Sequence, residues 1–396
     1  MAKKKQQKLR TNCKSESKFN TGARRIEEAS RAVAETVKLC KPKVVSIYPI
    51  MPQTSGLRTI MEFSSLESLN VEVVRTESAY SAISAAIGAS AAGVRTYTVA
   101  SSQGLKLMSE MLFVAAGMRL PIVMMVDNRA LPAPANIGND HSDSISERDA
   151  GWIQIYVESS QEAVDRVIQL FKISEQTLIP SMLCMDGFVL TQAYENVEMP
   201  SQEQVNSFLP EAGMLCRLSS GKLLNNGFIA PPESYMQIKK HQQESILNSV
   251  KTIKNIEEDF ANKFKRKWRI IEDYKTEDAE EVLVCMGTVC GTARELINEL
   301  RQKGKKAGMI KVSLFRPFPK NEISKSISQC KKMKNLIVLD RAVSFGNSGP
   351  LYLELKDALF GSKINIHGYI AGLGGRDITK KHLEKAFNLS EERWLI

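Results

Sequence analysis

Two side chains in this sequence place a charged group where it could act on a ligand. Glu77 ends the strand-like run VEVVRTE (71–77) and, with Ser78, leads into the Ala-rich segment AYSAISAAIGASAAG (79–93). A carboxylate at a helix start is favoured by the partial positive charge there. In a tight apolar setting the same group can hold or share a proton with a ring nitrogen. Position alone leaves both readings open. Arg129 follows the apolar run 120–126 after Asp127 and Asn128. Its planar fork suits a carboxylate ligand, or an ion pair with Asp127 or Asp140. His141 lies among Asn139, Asp140 and Asp143. One His with two acids resembles a metal site but lacks a second His, and hydrogen-bonded loop structure is the simpler expectation.

The elements around these residues alternate strand and helix. Strand-like runs are VVSIYPI (44–50), 71–77, VRTYTVAS (94–101), LPIVMMVDN (120–128), GWIQIYVES (151–159) and IPSMLCMDGF (179–188). Helical patterns fall at 78–92, 104–118 and 160–176. Alternation of this kind implies a doubly wound parallel sheet, and the apolar 120–126 run implies a strand buried on both faces. Residues 199–235 carry Pro, Gly and Asn without sustained period, and 236–269 read as one long polar helix. A second α/β unit has strands at 280–287, 307–317, 335–342 and 364–374, with helices at 289–303, 320–332, 349–360 and 379–388. In open parallel sheets ligands gather at the carboxyl ends of strands. YPIMPQT (48–54), RTES (75–78), ASSQG (100–104) and the stretch 127–143 all converge on one such edge.

No complete motif accompanies that edge. AGLGGRD (371–377) is not a dinucleotide fingerprint, and no phosphate-binding P-loop, nucleophile elbow or zincin motif is present. Seven dispersed cysteines show no C-x-x-C pair, which points to a reducing compartment and to no iron–sulfur cluster or zinc held by this chain. Nine Lys/Arg against one acid within residues 1–25 account for most of the net charge of +10. The body is near neutral, so the basic tail reads as solvated and disordered and no nucleic acid is expected. No apolar run reaches a membrane span, and the start lacks the apolar core of a secretory signal. A cytoplasmic location follows.

The phrases at the strand ends resemble the 2-oxoacid:ferredoxin oxidoreductase family. YPIMPQT is similar to the Y-P-I-T-P motif near the start of the family's α subunits. The long stretch from Glu77 to Tyr156 resembles the pyruvate branch, and VLVCMGTVCGTA, SLFRPFP, LDRAVSFGNSGPL and IAGLGGRDIT follow in family order. The resemblance implies an α/β fold: a thiamine-diphosphate-binding-type pyrimidine domain with a doubly wound parallel sheet, plus a smaller transketolase-C-terminal-like α/β domain. The implied division is a basic disordered tail at 1–24, the pyrimidine-binding domain at 25–198, a connector with a long helix at 199–276, and the second domain at 277–396.

The resemblance also implies a shared site. The α subunit covers the aminopyrimidine of thiamine diphosphate, and a β subunit holds Mg2+ and the diphosphate through a Gly-Asp-Gly motif that this sequence lacks. Iron–sulfur clusters belong to the β and δ subunits, and a γ subunit completes the assembly. Pyruvate and coenzyme A give acetyl-CoA and CO2, with electrons passing to ferredoxin, or the reverse. Glu77 matches the glutamate that hydrogen-bonds the aminopyrimidine, which makes it the expected catalytic and cofactor-binding residue. Arg129 matches the arginine that grips the substrate carboxylate. Met51 stands where the family has a substrate-contacting Thr, and a thioether cannot donate the hydrogen bond of a hydroxyl. That departure keeps a branched 2-oxoacid or 2-oxoglutarate open as the substrate. A non-catalytic scaffold or binding protein that works through the basic tail is the remaining alternative.

Overall fold

The computed structural model describes residues 24–65, 71–211 and 229–396. The tail read at 1–24 therefore lies outside it except for Arg24. That residue opens a strand, β1 (Arg24–Glu28), which pairs antiparallel with β8 (Tyr194–Glu198).

The first sheet is built as the alternation implies. Strands β2 (Val44–Ile47), β3 (Glu72–Arg75), β4 (Thr96–Ala100), β5 (Ile122–Asn128), β6 (Ile153–Tyr156) and β7 (Ser181–Asp186) run parallel in the order β6-β7-β5-β4-β2-β3. Every residue of β5 is buried, as a central strand covered on both faces requires. Helix α1 (Ala29–Leu39), α2 (Thr54–Ser65) and α7 (Ser160–Thr177) cover one face. Helix α3 (Ala79–Ala91) lies on the other, where Ala79, Ala82 and Ala86 let it sit close to the strands. The helical pattern at 104–118 proves to be two helices, α4 (Ser102–Leu107) and α5 (Ser109–Gly117), meeting at Met108. A short α6 (Ser142–Ser146) follows β5.

The second sheet has six strands, where the sequence pattern suggests four. It contains β9 (Ile271–Tyr274), β10 (Glu281–Cys285), β11 (Ala307–Val312), β13 (Asn335–Asp340), β14 (Asn365–Ala371) and β15 (Trp394–Leu395), with β9 antiparallel at one edge. The run 307–317, expected as one strand, is divided. After Val312 the chain leaves this sheet, and β12 (Leu314–Arg316) adds antiparallel to β6 of the first sheet. Ser313 is the crossing point: its hydroxyl donates to the Tyr156 carbonyl at 2.9 Å and its carbonyl accepts from the Tyr156 N–H at 2.8 Å. A strand that changes sheets carries no local signal, because both halves are equally apolar.

The two sheets share one apolar cluster, from Ile122, Met124 and Val126 to Val282, Val284, Ile310 and Val338. A polar seam lies beside it. Lys311 is fully buried, with its ammonium 2.8 Å from Glu162 and 3.2 Å from both Glu158 and Glu272. The long helix expected at 236–269 spans Pro232–Phe264 and begins, as proline favours, in the first turn. It packs on α7 through Arg166–Glu257 and Lys172–Asp259, and reaches the second unit through Lys254–Glu322.

Candidate active site

The carboxyl ends of β2 and β5 carry the loops that hold Met51 and Arg129, and the carboxyl end of β4 leads into α4, which carries Gln103. Arg129 is only 7% exposed. Its Nη1 donates to the Met51 carbonyl at 3.0 Å and its Nη2 to the Gln103 side-chain oxygen at 3.2 Å. Its Nε is buried without a partner. The ion pair with Asp127 or Asp140 that the sequence allows does not form. Arg95, Arg166 and Arg341, the other buried arginines among the described residues, are paired with Glu175, Glu257 and Asp186 respectively. Arg129 is held by neutral oxygens alone, and a buried guanidinium so placed has charge and donors left for an anionic ligand.

Asp143 fixes this arrangement from below. One of its oxygens accepts from both Ser102 N (2.8 Å) and Arg129 N (3.0 Å); the other accepts from Asn128 Nδ2 and Ser144 N. Burial pushes the Asp143 carboxyl up to about 6, against the pull of these hydrogen bonds. Asp127, beside it, is fully buried with neither oxygen partnered, and burial plus the Asp143 charge push it up to about 8. Ser102 adopts φ +46°, a region disfavoured for a side chain with Cβ, and is held there by Asp143 and by its own hydroxyl on the Ala130 carbonyl at 2.6 Å.

Met51 and Arg129 are thus brought together, although the joining atom is the Met51 backbone oxygen. Its thioether is open, with Met51 54% exposed. Glu77 is placed differently. Ser78 caps α3 with its hydroxyl on Ser81 N at 3.1 Å, and Glu77 stands just outside the helix. The Glu77 carboxylate accepts from the Ser81 hydroxyl, which together with its own backbone N–H holds it below the usual range. Glu77 is exposed, so the tight apolar setting that proton sharing calls for is not made by this chain's own residues. The inward residue at this helix start is Ala79, and no hydrogen bond or ion pair among the described residues joins Glu77 to Arg129.

His141 is a structural residue, as the loop reading expects. Its Nε2 lies 2.7 Å from Asp186, which also receives Arg341 Nη1 at 2.8 Å, Thr288 N at 3.0 Å and the Thr288 hydroxyl. Arg341 and His141 hold the Asp186 carboxyl well below the carboxylate range despite full burial. Since Thr288 and Arg341 belong to the second unit, this clasp ties the strand ends of the two sheets. Its members lie far apart in sequence, and nothing local announces them. Gln103 and Asp143 were equally hidden: the phrase ASSQG marks a strand end, but an amide carries no motif of its own.

Residues 35–258 match the family model for pyruvate flavodoxin/ferredoxin oxidoreductase, thiamine diphosphate-binding, and 279–383 match pyruvate:ferredoxin oxidoreductase core domain II. The chain is 46% identical to the pyruvate synthase subunit PorA of Methanothermobacter thermautotrophicus over 93% of its own length and 95% of that protein's. It is 39% identical to the ketoisovalerate oxidoreductase subunit VorA of Pyrococcus horikoshii, over 91% of its length and 92% of that protein's. A solved 2-oxoglutarate:ferredoxin oxidoreductase from Magnetococcus marinus, with 2-oxoglutarate, coenzyme A and succinyl-CoA bound, shares the fold at a TM-score of 0.73 and 19% identity. That match covers 92% of this chain and 65% of the other. With both α/β units matched in order, the chain belongs to the pyruvate flavodoxin/ferredoxin oxidoreductase family of thiamine diphosphate-binding oxidoreductase subunits.

Proposed function

We propose that this chain supplies the pyrimidine-side half of the active site in a multisubunit pyruvate:ferredoxin oxidoreductase. A β subunit contributes the magnesium–diphosphate side and an iron–sulfur cluster, and γ and δ subunits complete the assembly. Pyruvate, coenzyme A and two oxidised ferredoxins give acetyl-CoA, CO2, two reduced ferredoxins and a proton. The carrying observation is Arg129, buried and charged yet held only by the Met51 carbonyl and the Gln103 amide oxygen.

Arg129 takes the 2-oxoacid carboxylate. That negative charge disappears as the C1–C2 bond breaks and CO2 leaves, so Arg129 binds the ground state more tightly than the transition state and acts on KM more than on kcat. Bound thiamine diphosphate supplies the electron sink for that bond cleavage. Glu77 faces the aminopyrimidine. The exposed carboxylate becomes a proton holder once the second chain covers it, because excluding water raises a carboxyl group's pKa. The Ser81 hydroxyl orients the carboxylate meanwhile.

The VorA relative and the open Met51 thioether favour a second reading, a branched 2-oxoacid. Viologen reduction by the assembled enzyme with pyruvate, 3-methyl-2-oxobutanoate or 2-oxoglutarate decides between them. The highest kcat/KM is expected for pyruvate, and equal or better turnover of the branched acid would transfer the assignment. In the same assay Glu77→Gln is expected to lose ~10²-fold or more of kcat, the usual weight of a positioned acid–base group. Full activity would remove Glu77 from the site.

A further inference from the structure

We infer that Gln103 is a positioning residue for the substrate carboxylate, chosen to be neutral so that the charge of Arg129 stays free. The inference rests on the reading of Arg129 as the carboxylate-binding residue and adds a partner to it.

Three observations carry it. The Gln103 side-chain oxygen accepts from Arg129 Nη2 at 3.2 Å while the Met51 carbonyl takes Nη1, so the fork is fixed at both ends and the buried Nε–H remains unused. A glutamate would have the same reach. At every other buried arginine among the described residues the corresponding place is taken by a carboxylate, from Glu175, Glu257 or Asp186. An amide in that place accepts the hydrogen bond without neutralising the guanidinium. Finally, the geometry is built. The residue before Gln103 is held at φ +46° by the same Asp143 oxygen that accepts from the Arg129 backbone, so one buried carboxylate sets both partners of the pair.

The Gln103 amide nitrogen shares a carbon with the oxygen bound to Arg129 and donates to no residue among those described. It therefore stands beside the fork as an added donor for the bound 2-oxoacid, and Gln103 is assigned both duties: acceptor toward Arg129 and donor toward the ligand.

The test uses the fully assembled enzyme and steady-state kinetics for the 2-oxoacid and for coenzyme A. Gln103→Glu places a carboxylate on the fork in competition with substrate. It is expected to raise KM for the 2-oxoacid by ~100-fold, the size of a lost charge-assisted contact, with kcat changed less than about threefold and KM for coenzyme A unchanged. Gln103→Met keeps the length without charge or hydrogen bonds, and is expected to raise the same KM by ~5–10-fold, as for one neutral hydrogen bond. Arg129→Gln is measured beside them. If Arg129→Gln raises KM but Gln103→Glu behaves like Gln103→Met, or both Gln103 variants leave KM unchanged, the inference is overturned while the reading of Arg129 stands. If Arg129→Gln itself leaves KM unchanged, the underlying reading has failed first. A general rise in both KM values with a lowered melting point would mark structural damage and also count against a positioning role.

Discussion

Replacing Asp186 by Asn should loosen the two α/β units from each other. Asp186 ends β7 in the first unit and receives four donors, two from Thr288 and one each from His141 and Arg341. Asn keeps the shape but removes the charge and presents an N–H2 to groups that are themselves donors. The Arg341 guanidinium, 6% exposed and with its Nε already unpartnered, is left without a carboxylate. Breaking a buried pair from one side costs about 3–5 kcal/mol. With an unfolding entropy of roughly 2 cal/mol/K per residue, that lowers the melting midpoint of a chain this size by roughly 4–6 °C. The effect depends on pH with a definite sign. Because the folded state holds the Asp186 carboxyl below its ordinary range, its stabilisation is complete above about pH 4 and fades as pH falls through the depressed value. Scanning calorimetry of parent and variant at pH 7 and at pH 3 reads both quantities: a full difference at pH 7, and a smaller one at pH 3. Equal midpoints at pH 7, or a difference that widens on acidification, would refute the clasp.

Two further outcomes follow from buried charges. Lys311→Met removes the cation from among Glu158, Glu162 and Glu272 and should cost about 3–5 kcal/mol in urea unfolding, with part recovered by adding Glu162→Gln; an unchanged midpoint would show that the seam is not load-carrying. Asp127 is pushed up to about 8, so the folded state keeps a proton there that the unfolded state loses near pH 4, and stability falls as pH rises across that window. Asp127→Asn should therefore match the parent at about pH 3, below the unfolded group's range, and exceed it by a growing margin up to pH 9, the residual slope between about pH 4 and 6 coming from Asp143. A variant less stable than the parent at pH 9 would contradict this.

Much of the fold is legible because it depends on period and punctuation. The run at 120–128 reads as a doubly covered strand without any knowledge of its neighbours, and the strand ends at 48–54, 75–78, 100–104 and 127–143 locate one edge. What escapes the sequence is what depends on distant partners. Leu314–Arg316 is as apolar as the strand before it, and only the packed structure reveals that it belongs to the other sheet. Arg24 reads as tail until Glu198 is found opposite it. In the site, Arg129 is legible as a candidate for carboxylate binding, but the choice between an internal ion pair and a free fork needs Gln103 and the Met51 carbonyl in place. The setting of Glu77 is the remaining divergence. Strand-to-helix position leaves a helix-start carboxylate and an enclosed acid both open; the carboxylate is exposed and bonded to Ser81, and only in the proposed assembly does a second chain enclose it.

The most direct test of that shared site is the Michaelis constant of Arg129→Gln in the fully assembled enzyme, with pyruvate-dependent viologen reduction as the readout. A guanidinium that binds a carboxylate absent from the products should, when lost, raise KM by roughly 100-fold, the size of a lost charge-assisted contact, while kcat falls far less. A KM equal to that of the parent, with activity retained, would mean that the substrate carboxylate is bound elsewhere and that the buried, unpaired Arg129 is not the anion site.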